Sequence, residues 1–124
     1  METNEQRPIN DFPSVMEAVL KAIREKDFEQ AAILASLAYN LAPNLSEQAR
    51  AARDLSAAYR HQGDYDESEK WATEAVEKHK ALVEEEENRS TLRELGASVA
   101  TLGTLQLQRI VTDPSYDNQE NSQR

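Results

Sequence analysis

An internal repeat constrains this chain more than any other feature of its sequence. Residues 26–31 (KDFEQA) align with residues 63–68 (GDYDES) at an offset of 37 residues. An aromatic side chain just after a tight turn, followed by a small residue, suits two antiparallel helices whose backbones approach closely. One such helix pair cannot bury its faces alone, so successive pairs must stack. The repeat therefore predicts an array of stacked helix pairs.

Capping and helix-breaking residues divide the chain into five predicted helices. The boundaries fall at Pro13-Ser14, Lys26-Asp27, Pro43-Asn44, Gly63-Asp64 and Thr91, and the last helix runs to about Thr112. Asn44 and Glu47 have the spacing of a capping box, as do Thr91 and Glu94. The chain has only 3 glycines and 4 prolines, which favours helices over strands and turns. The sequence thus predicts an all-α fold.

The last predicted helix has an apolar stripe. The residues that recur at steps of three and four, the spacing of one buried helix face, are Leu92, Leu95, Val99 and Leu102. Further apolar side chains lie beyond that stripe, at Leu105, Leu107, Ile110 and Val111. We expect this helix either to cap the array or to pair with a second copy of the chain.

The repeated segments resemble the tetratricopeptide repeat, a helix–turn–helix unit of about 34 residues. The second repeat fits the family pattern best, at Ala52, Leu55, Ser56, Tyr59, Ser68, Ala72 and Ala75. The first repeat keeps the spacing with smaller side chains, at Val15, Ala18, Val19, Ala22, Ala31, Ala35, Ala38 and Pro43. A third, partial repeat is marked by Leu92, Leu95, Gly96 and Val99. The resemblance implies antiparallel helix pairs stacked as a short right-handed superhelix with a C-terminal capping helix.

The resemblance covers most of the chain. It assigns repeats to about 12–45 and 49–82, and a partial repeat or capping helix to about 89–112. The polar composition of the two ends predicts disordered tails at 1–11 and 113–124. Two departures from the family are an insertion of about three residues around 43–46 and a fourth helix lengthened by more than a turn before Ser90. Because such arrays usually need three or more repeats, two and a half repeats require a cap or a partner.

Composition excludes several classes of function. The 124 residues include 14 Lys and Arg and 23 Asp and Glu, so the net charge of −9 disfavours binding to nucleic acid or anionic membranes. There is no cysteine and there are only 2 histidines, so we predict no disulfide, metal site or cofactor. No apolar run long enough to span a bilayer and no signal segment occur, so we expect a cytoplasmic protein. Catalytic motifs are absent too, which predicts a non-catalytic protein.

The resemblance implies that a partner binds in the concave groove lined by the first helix of each pair. On the third helix, the 3.6-residue period places one set of residues opposite the apolar side, namely Arg50, Arg53, Ala57, Arg60 and His61. The family's groove positions add Met16, Leu20 and Arg24 from the first repeat, and Arg93 and Ala97 from the third. Acidic residues on the second helices include Glu67, Glu69, Glu74 and Glu77. We therefore expect a basic groove within an acidic shell.

Two interpretations of the groove arginines are open. In the first, they bind the carboxylates of a short acidic segment or chain terminus, and Met16 and Leu20 form an apolar anchor. In the second, they pair as solvated surface with neighbouring acidic residues such as Asp54, Asp64 and Glu94.

The sequence therefore predicts a non-catalytic adaptor that binds a protein or peptide partner, acidic under the first interpretation, in its groove. The alternative function is a structural one, self-association as a homodimer through the apolar helix at about 91–112. A third class, nucleic-acid or small-anion binding through the arginines, is disfavoured by the net charge. Both histidines, His61 and His79, are expected to be exposed surface residues.

Overall fold

The computed structural model describes residues 11–113 and 115, and that part of the chain forms helices joined by short turns. The helices are α1 (Phe12–Arg24), α2 (Phe28–Leu41), α3 (Leu45–His61), α4 (Tyr65–Glu85) and α5 (Arg89–Thr112). The predicted all-α fold of about five helices is confirmed for these residues. The predicted tails fall outside the described residues, apart from Asp11, Asp113 and Ser115.

Each of these helices begins after an aspartate or asparagine. The side chains that accept a hydrogen bond from the backbone N–H three residues later are those of Asp11, Asp27, Asn44, Asp64 and Asn88. Each bond satisfies an amide that has no partner within its helix. The capping box predicted to start at Thr91 is wrong in position. Asn88 caps α5, and the hydroxyl of Thr91 returns the bond by accepting from the Asn88 N–H at 3.0 Å.

The turns after α1 and α3 have the same geometry, as the repeat predicts. Lys26 has φ 61° and Gly63 has φ 82°, so both residues adopt the left-handed conformation. The next N–H then bonds to a carbonyl five residues earlier, at 2.8 Å for Asp27 and 3.0 Å for Asp64. This pattern of bonds is a common way to end a helix, and it favours glycine at the left-handed position.

The helices stack in two layers. Each of the four described connections has three residues, so helices that follow each other in sequence pack as antiparallel neighbours. The first helices of the pairs are in contact, α1 with α3 directly and α3 with α5 through an ion pair. The second helices, α2 and α4, meet through an edge-to-face contact between Tyr39 and Trp71.

The core is built mainly from alanines and a few branched residues. Fully buried positions include Val15, Val19, Ala31, Ala35, Ala38, Ala51 and Leu55. Small side chains at a helix interface allow the helix axes to approach each other. Between α3 and α4, the buried hydroxyls of Ser56 and Ser68 each donate to the carbonyl of the other residue at 2.8 Å. Both serines therefore satisfy their polar atoms inside the core.

The helices become longer toward the C-terminal end of the array. α4 has 21 residues against 14 in α2, and α5 has 24 against 17 in α3. The predicted lengthening of the fourth helix is confirmed, and it amounts to about two turns, or roughly 10 Å. At the far end of the pair, Arg109 of α5 forms ion pairs of 2.7 Å with Asp66 and Glu69 of α4.

The face of α5 that packs on α4 is not the predicted stripe. Leu92 and Val99 are 46% and 50% exposed, so the prediction that they are buried is wrong. The packed face runs through Leu95, Ser98, Leu102 and Leu105. A buried hydrogen bond between Ser98 and His79 of α4 belongs to this face. α5 is therefore rotated relative to the position that its leucines and valine alone predict.

Candidate binding groove

Two cavities open side by side along the exposed face of α3, and we call them together the groove. The first has a volume of about 440 Å³ and is lined by Ser46, Arg50, Arg53, His79, Leu82, Ser90, Thr91 and Glu94. The second has a volume of about 420 Å³ and is lined by Phe12, Pro13, Met16, Glu17, Leu20, Glu47 and Arg50. We call the first the polar cavity, between α3, α4 and α5, and the second the apolar cavity, between α1 and α3. Arg50 lines both.

Four of the ten predicted binding residues line this groove. They are Met16 and Leu20 on α1 and Arg50 and Arg53 on α3. The two arginines point outwards because Ala51, Ala52 and Leu55 occupy the buried side of the same helix. The predicted residues that line neither cavity are Arg24, Ala57, Arg60, His61, Arg93 and Ala97.

The two predicted apolar anchors differ in accessibility. Met16 is 3% exposed and belongs to the core cluster, so it forms a wall of the apolar cavity. Leu20 is 40% exposed and remains open to contact. Leu20 is therefore the more accessible of the two to an incoming apolar side chain.

His61 has a packing role. Its ring stacks on the ring of Phe28, with centroids 4.3 Å apart and an angle of 12° between the planes. The adjacent Gln62 donates from Nε2 to the Phe28 carbonyl at 3.2 Å. The end of α3 thus contacts the start of α2, just as the end of α5 contacts Tyr65 at the start of α4. The aromatic residues of the two repeats have equivalent surroundings.

Acidic residues share the groove with the arginines. Arg50 pairs with Glu47 at 3.4 Å, and Arg53 pairs with Glu94 at 3.2 Å. Glu17 also lines the apolar cavity, so the expectation of a simply basic groove is wrong. The prediction failed because the first turn of α3 and the second turn of α5 bring their own carboxylates, Glu47 and Glu94, beside the arginines.

The charge balance along the exposed face of α3 still includes uncompensated arginines. Arg60, two turns after Arg53, has no ion-pair partner among residues 11–113 and 115, and neither has Arg93 on α5.

Burial raises the pKa of the Asp54 carboxyl, while the neighbouring Arg53 and Arg50 act in the opposite direction. Burial therefore favours the protonated form of the Asp54 carboxyl.

His79 forms the floor of the polar cavity, so the prediction that it is an exposed residue is wrong. It is 4% exposed, and its Nδ1 shares a hydrogen bond with the Ser98 hydroxyl. Its Nε2 lies 3.9 Å from Oε1 of Glu94. Burial lowers the pKa of His79, Arg53 lowers it further, and Glu94 has the opposite effect.

Periodicity offered a signal for the position of His79. It follows Ala72, Ala75 and Val76 at three- and four-residue steps, and these residues are buried on the same face of α4. Sequence analysis considered only that histidine is a polar residue, and so it did not place His79 on this buried face of α4.

Glu94 connects the three helices around the polar cavity. It pairs with Arg53 of α3 and lies close to His79 of α4, while its own backbone belongs to α5. Most of the lining residues that sequence analysis did not assign to the groove come from the ends of helices, namely Phe12, Pro13, Ser46, Glu47, Leu82, Ser90 and Thr91. Leu82, Ser90 and Thr91 line the polar cavity because α4 extends two turns past the point where a helix of the length of α2 would end.

The described residues hold no site for a metal ion. In the part of the chain from Asp11 to Asp113 with Ser115, no group of three or more histidine, cysteine, aspartate or glutamate side chains is arranged to bind one. A search of the same residues finds no helix with the length and apolarity that crossing a membrane requires.

Comparison with known proteins identifies the repeat. Residues 48–87 match the family model described as tetratricopeptide repeat, and this stretch covers most of α3, all of α4 and the turn that follows. No curated protein and no solved structure matches the chain. Tetratricopeptide repeats are in general non-catalytic modules of protein–protein interaction. Residues 48–87 are thus similar to a tetratricopeptide repeat, and they lie within an array of stacked helix pairs.

Proposed function

We propose that this chain is an adaptor that binds a short acidic segment of a partner protein in the groove. An apolar side chain of the segment occupies the apolar cavity, and a neighbouring carboxylate binds Arg50. The observation that supports this proposal most directly is that Arg50 lines both cavities. One arginine at the junction can hold a carboxylate while the adjacent cavity holds the next side chain.

The apolar cavity has the composition of a side-chain pocket. Phe12, Pro13, Met16 and Leu20 contribute apolar surface, and the charged lining residues are Glu17 of α1 and Glu47 and Arg50 of α3. Its volume of about 420 Å³ lies in the range of pockets that bind small ligands. An aliphatic side chain gains about 1.5–3 kcal/mol from full burial in such a place.

Arg50 is available to a ligand. Its side chain is 51% exposed, and its pairing with Glu47 is a surface interaction between residues one turn apart on the same helix. Such pairs contribute about 0.3–0.5 kcal/mol. A ligand carboxylate that binds the guanidinium through two parallel hydrogen bonds replaces Glu47 at small cost. Arg53 is 41% exposed in its own pair with Glu94 and offers a second position.

A charge-reversal experiment tests the proposal. The probe is a fluorescein-labelled synthetic peptide of ten residues, rich in aspartate and glutamate around one leucine, and binding is followed by fluorescence polarisation. Arg50→Glu is expected to raise the Kd at least tenfold, because a charge-assisted hydrogen bond contributes about 1.5–3 kcal/mol. Lys80→Glu, the same charge change on the exposed side of α4, is the control and is expected to shift the Kd less than twofold.

Two further peptides separate the two halves of the groove. Replacing the leucine by serine removes the side chain assigned to the apolar cavity, and replacing the acidic residues by lysine removes the carboxylates. We expect both peptides to bind more weakly than the original. Equal affinity of the wild type and Arg50→Glu for the acidic peptide, or equal binding of the acidic and basic peptides, would refute this function.

Self-association through α5 is the second candidate function. The observation that favours it is the apolar surface that α5 exposes at Leu92, Val99, Leu107, Ile110 and Val111. Light scattering during size-exclusion chromatography, over a range of loading concentrations, tests it. A mass that rises with concentration supports it, and a constant monomer mass opposes it.

A further inference from the structure

α5 carries an uncharged face that the described residues leave uncovered. Between Leu95 and Gln108 there are fourteen residues without an acidic or basic side chain, in a chain of which 30% of residues are charged. Only Ser98 and Leu105 of this stretch are buried. Surface helices ordinarily carry charged or polar residues on the side that faces solvent. The missing charges therefore indicate a face that is covered in the functional protein.

The uncovered face forms a continuous stripe on one side of the helix. Its members recur at three- and four-residue steps and are Leu92, Gly96, Val99, Gly103, Leu107 and Ile110. The four large side chains in it are between 40% and 65% exposed. By the helical period the stripe lies about a third of a turn from the face that packs on α4. It is also distinct from Glu94, which faces the groove.

Two glycines in this stripe have no role within the described structure. A Cβ atom added to Gly96 or Gly103 would meet no atom within 4 Å apart from the neighbouring backbone of α5 itself. Glycine within a helix is less favourable than alanine, so it is expected there only where another backbone approaches closely. Nothing in α4 or α5 makes such an approach at these two positions.

Four of the six stripe members are placed symmetrically about a point between Val99 and Ala100. Gly96 and Gly103 are equally far from that point, and so are Leu92 and Leu107. A two-fold symmetric contact needs a surface in which residue i meets residue j of the partner and j meets i. An antiparallel pair of α5 helices centred on this point meets that need, because it sets each glycine against a glycine and each leucine against a leucine.

We propose that two copies of the chain form an antiparallel homodimer through this face of α5. The inference rests on the second function proposed above, self-association, and adds to it the face, the direction and the register. Gly96 of one copy lies against Gly103 of the other, and the leucines pack at the two ends of the contact. The close approach at the glycines lets the side chains on either side of them interdigitate.

Charge complementarity favours a second copy as the occupant. The chain as a whole has a net charge of −9, but α5 carries three arginines and one glutamate, a local net charge of +2. The stripe itself carries no charged side chain, so two copies meet there without like charges directly opposed. In this register the exposed Arg89 at the start of one α5 lies at nearly the same height as the exposed Asp113 after the end of the other.

The size of the contact sets the expected strength. The stripe from Leu92 to Ile110 is roughly 27 Å long at 1.5 Å per residue, and a helix is about 10 Å wide. A standard stable interface buries about 800 Å² on each partner, and one pair of helices provides less than that. We therefore expect a concentration-dependent dimer with a Kd in the micromolar range.

Cysteine cross-linking tests the direction and register, and the chain contains no cysteine of its own. Val99→Cys places a thiol next to the two-fold axis, so mild oxidation is expected to give covalent dimers. Leu92→Cys lies on the same face but about 22 Å from its own copy in the antiparallel register. It is expected to stay monomeric alone and to cross-link when mixed with Leu107→Cys. Efficient cross-linking of Leu92→Cys alone would overturn the antiparallel register.

Light scattering of glycine variants tests the face. Gly96→Gln and Gly103→Gln leave the monomer intact, since their side chains enter open space, but they block the close approach of the two helices. Each is expected to weaken dimerisation at least tenfold without lowering the thermal midpoint of the monomer. Thr101→Gln, exposed on another side of α5, is the control and is expected to dimerise like the wild type.

The outcomes separate this inference from self-association in general. A wild-type chain that remains monomeric at 1 mM overturns both. A wild-type dimer that persists unchanged in the two glycine variants overturns the proposed face and leaves self-association in place. Loss of the dimer in both glycine variants, with normal behaviour of Thr101→Gln, supports the proposed contact.

Discussion

Lys26 and Gly63 show how the same turn is built from different residues in the two repeats. Both adopt positive φ angles after a first helix, and both are followed by an aspartate that caps the next helix. Glycine adopts this conformation without strain, whereas a residue with a Cβ atom is disfavoured there by about 1 kcal/mol or more. The first turn therefore stores strain that the second does not.

Replacing Lys26 by glycine is expected to stabilise the protein. The relief of strain exceeds the larger conformational entropy that glycine adds to the unfolded chain, so the free energy of unfolding should rise by about 0.5 kcal/mol. The reverse change, Gly63→Ala, should lower it by about 1 kcal/mol, since the added Cβ contacts no atom within 4 Å and only the backbone strain changes. Urea unfolding followed by circular dichroism measures both. A Lys26→Gly variant less stable than the wild type would contradict this account of the turn.

His79 makes the stability of the fold depend on pH. Its pKa is lowered in the folded state, mainly by burial, from an ordinary value of 6.5. As the pH falls below about 6.5, the unfolded chain therefore binds a proton at this residue that the folded chain does not bind. The free energy of unfolding should thus decrease between pH 7 and pH 5.5, before most carboxylates titrate.

The control for this pH dependence is His79→Gln, which keeps a polar side chain but does not titrate. The variant is expected to be less stable than the wild type at pH 7, because the packing around Ser98 changes, but to show a flatter slope over the same range. Chemical denaturation at several pH values measures the slope. Identical slopes for the two proteins would rule out His79 as the origin of the effect.

At the level of helices, an arginine fastens the C-terminal end of α5 to the start of α4. Arg109 is 12% exposed and contacts both Asp66 and Glu69 at 2.7 Å. The pKa of its guanidinium is raised, since these hydrogen bonds and carboxylates outweigh the burial. Asp66 is largely solvated, so the ion pair of Arg109 with Glu69 contributes more to stability than its ion pair with Asp66.

Arg109→Gln is expected to loosen this end of α5. The free energy of unfolding should decrease by about 1 kcal/mol, because the variant leaves Glu69 partly buried without its cation. Hydrogen exchange should increase in the last two turns of α5 and the first turn of α4, while the amides of α2 keep their protection. Uniformly unchanged exchange would show that the ion pairs do not hold the helix end.

The helices of this protein are more predictable from sequence than the faces they present. Asp27, Asn44, Gly63 and Asp64 fix boundaries through local hydrogen bonds and backbone conformation, and local chemistry can be read from neighbouring residues. The rotation of α5 depends on the contact between Ser98 and a histidine nineteen residues earlier. No local pattern shows that a serine is buried while Leu92 and Val99 are not.

At the scale of the whole molecule, the polar cavity arises from the unequal length of the helix pairs. Sequence analysis identified the arginines of α3 because the helical period sets them opposite a buried stripe. It named Glu94 only as a neighbour that could pair with the arginines, as it does with Arg53. It did not identify Leu82 or Ser90, because their position beside α3 depends on how far α4 and α5 extend. The polar cavity is therefore a property of the stacked array, while Arg50 and Arg53 can be located from one helix alone.

Removing one carboxylate from the exposed face of α3 should strengthen binding of an acidic ligand. Asp54 lies one helical turn after Arg50 and interacts electrostatically with both groove arginines. At a separation of about 8 Å and an intermediate dielectric constant, a like charge opposes a ligand carboxylate by about 1 kcal/mol. Asp54→Asn should therefore lower the Kd of the acidic peptide about fivefold in the polarisation assay. A weaker interaction would contradict the placement of the ligand beside Arg50.

The central claim is that the groove along α3 binds the acidic segment, and nuclear magnetic resonance tests it most directly. The unlabelled acidic peptide is titrated into ¹⁵N-labelled protein, and the amide shift changes are mapped by residue. We expect the largest changes around Leu20, Arg50, Arg53 and Glu94, which line the two cavities. Changes confined to the uncharged face of α5 around Val99 and Gly103, or to the exposed side of α4, would contradict the claim.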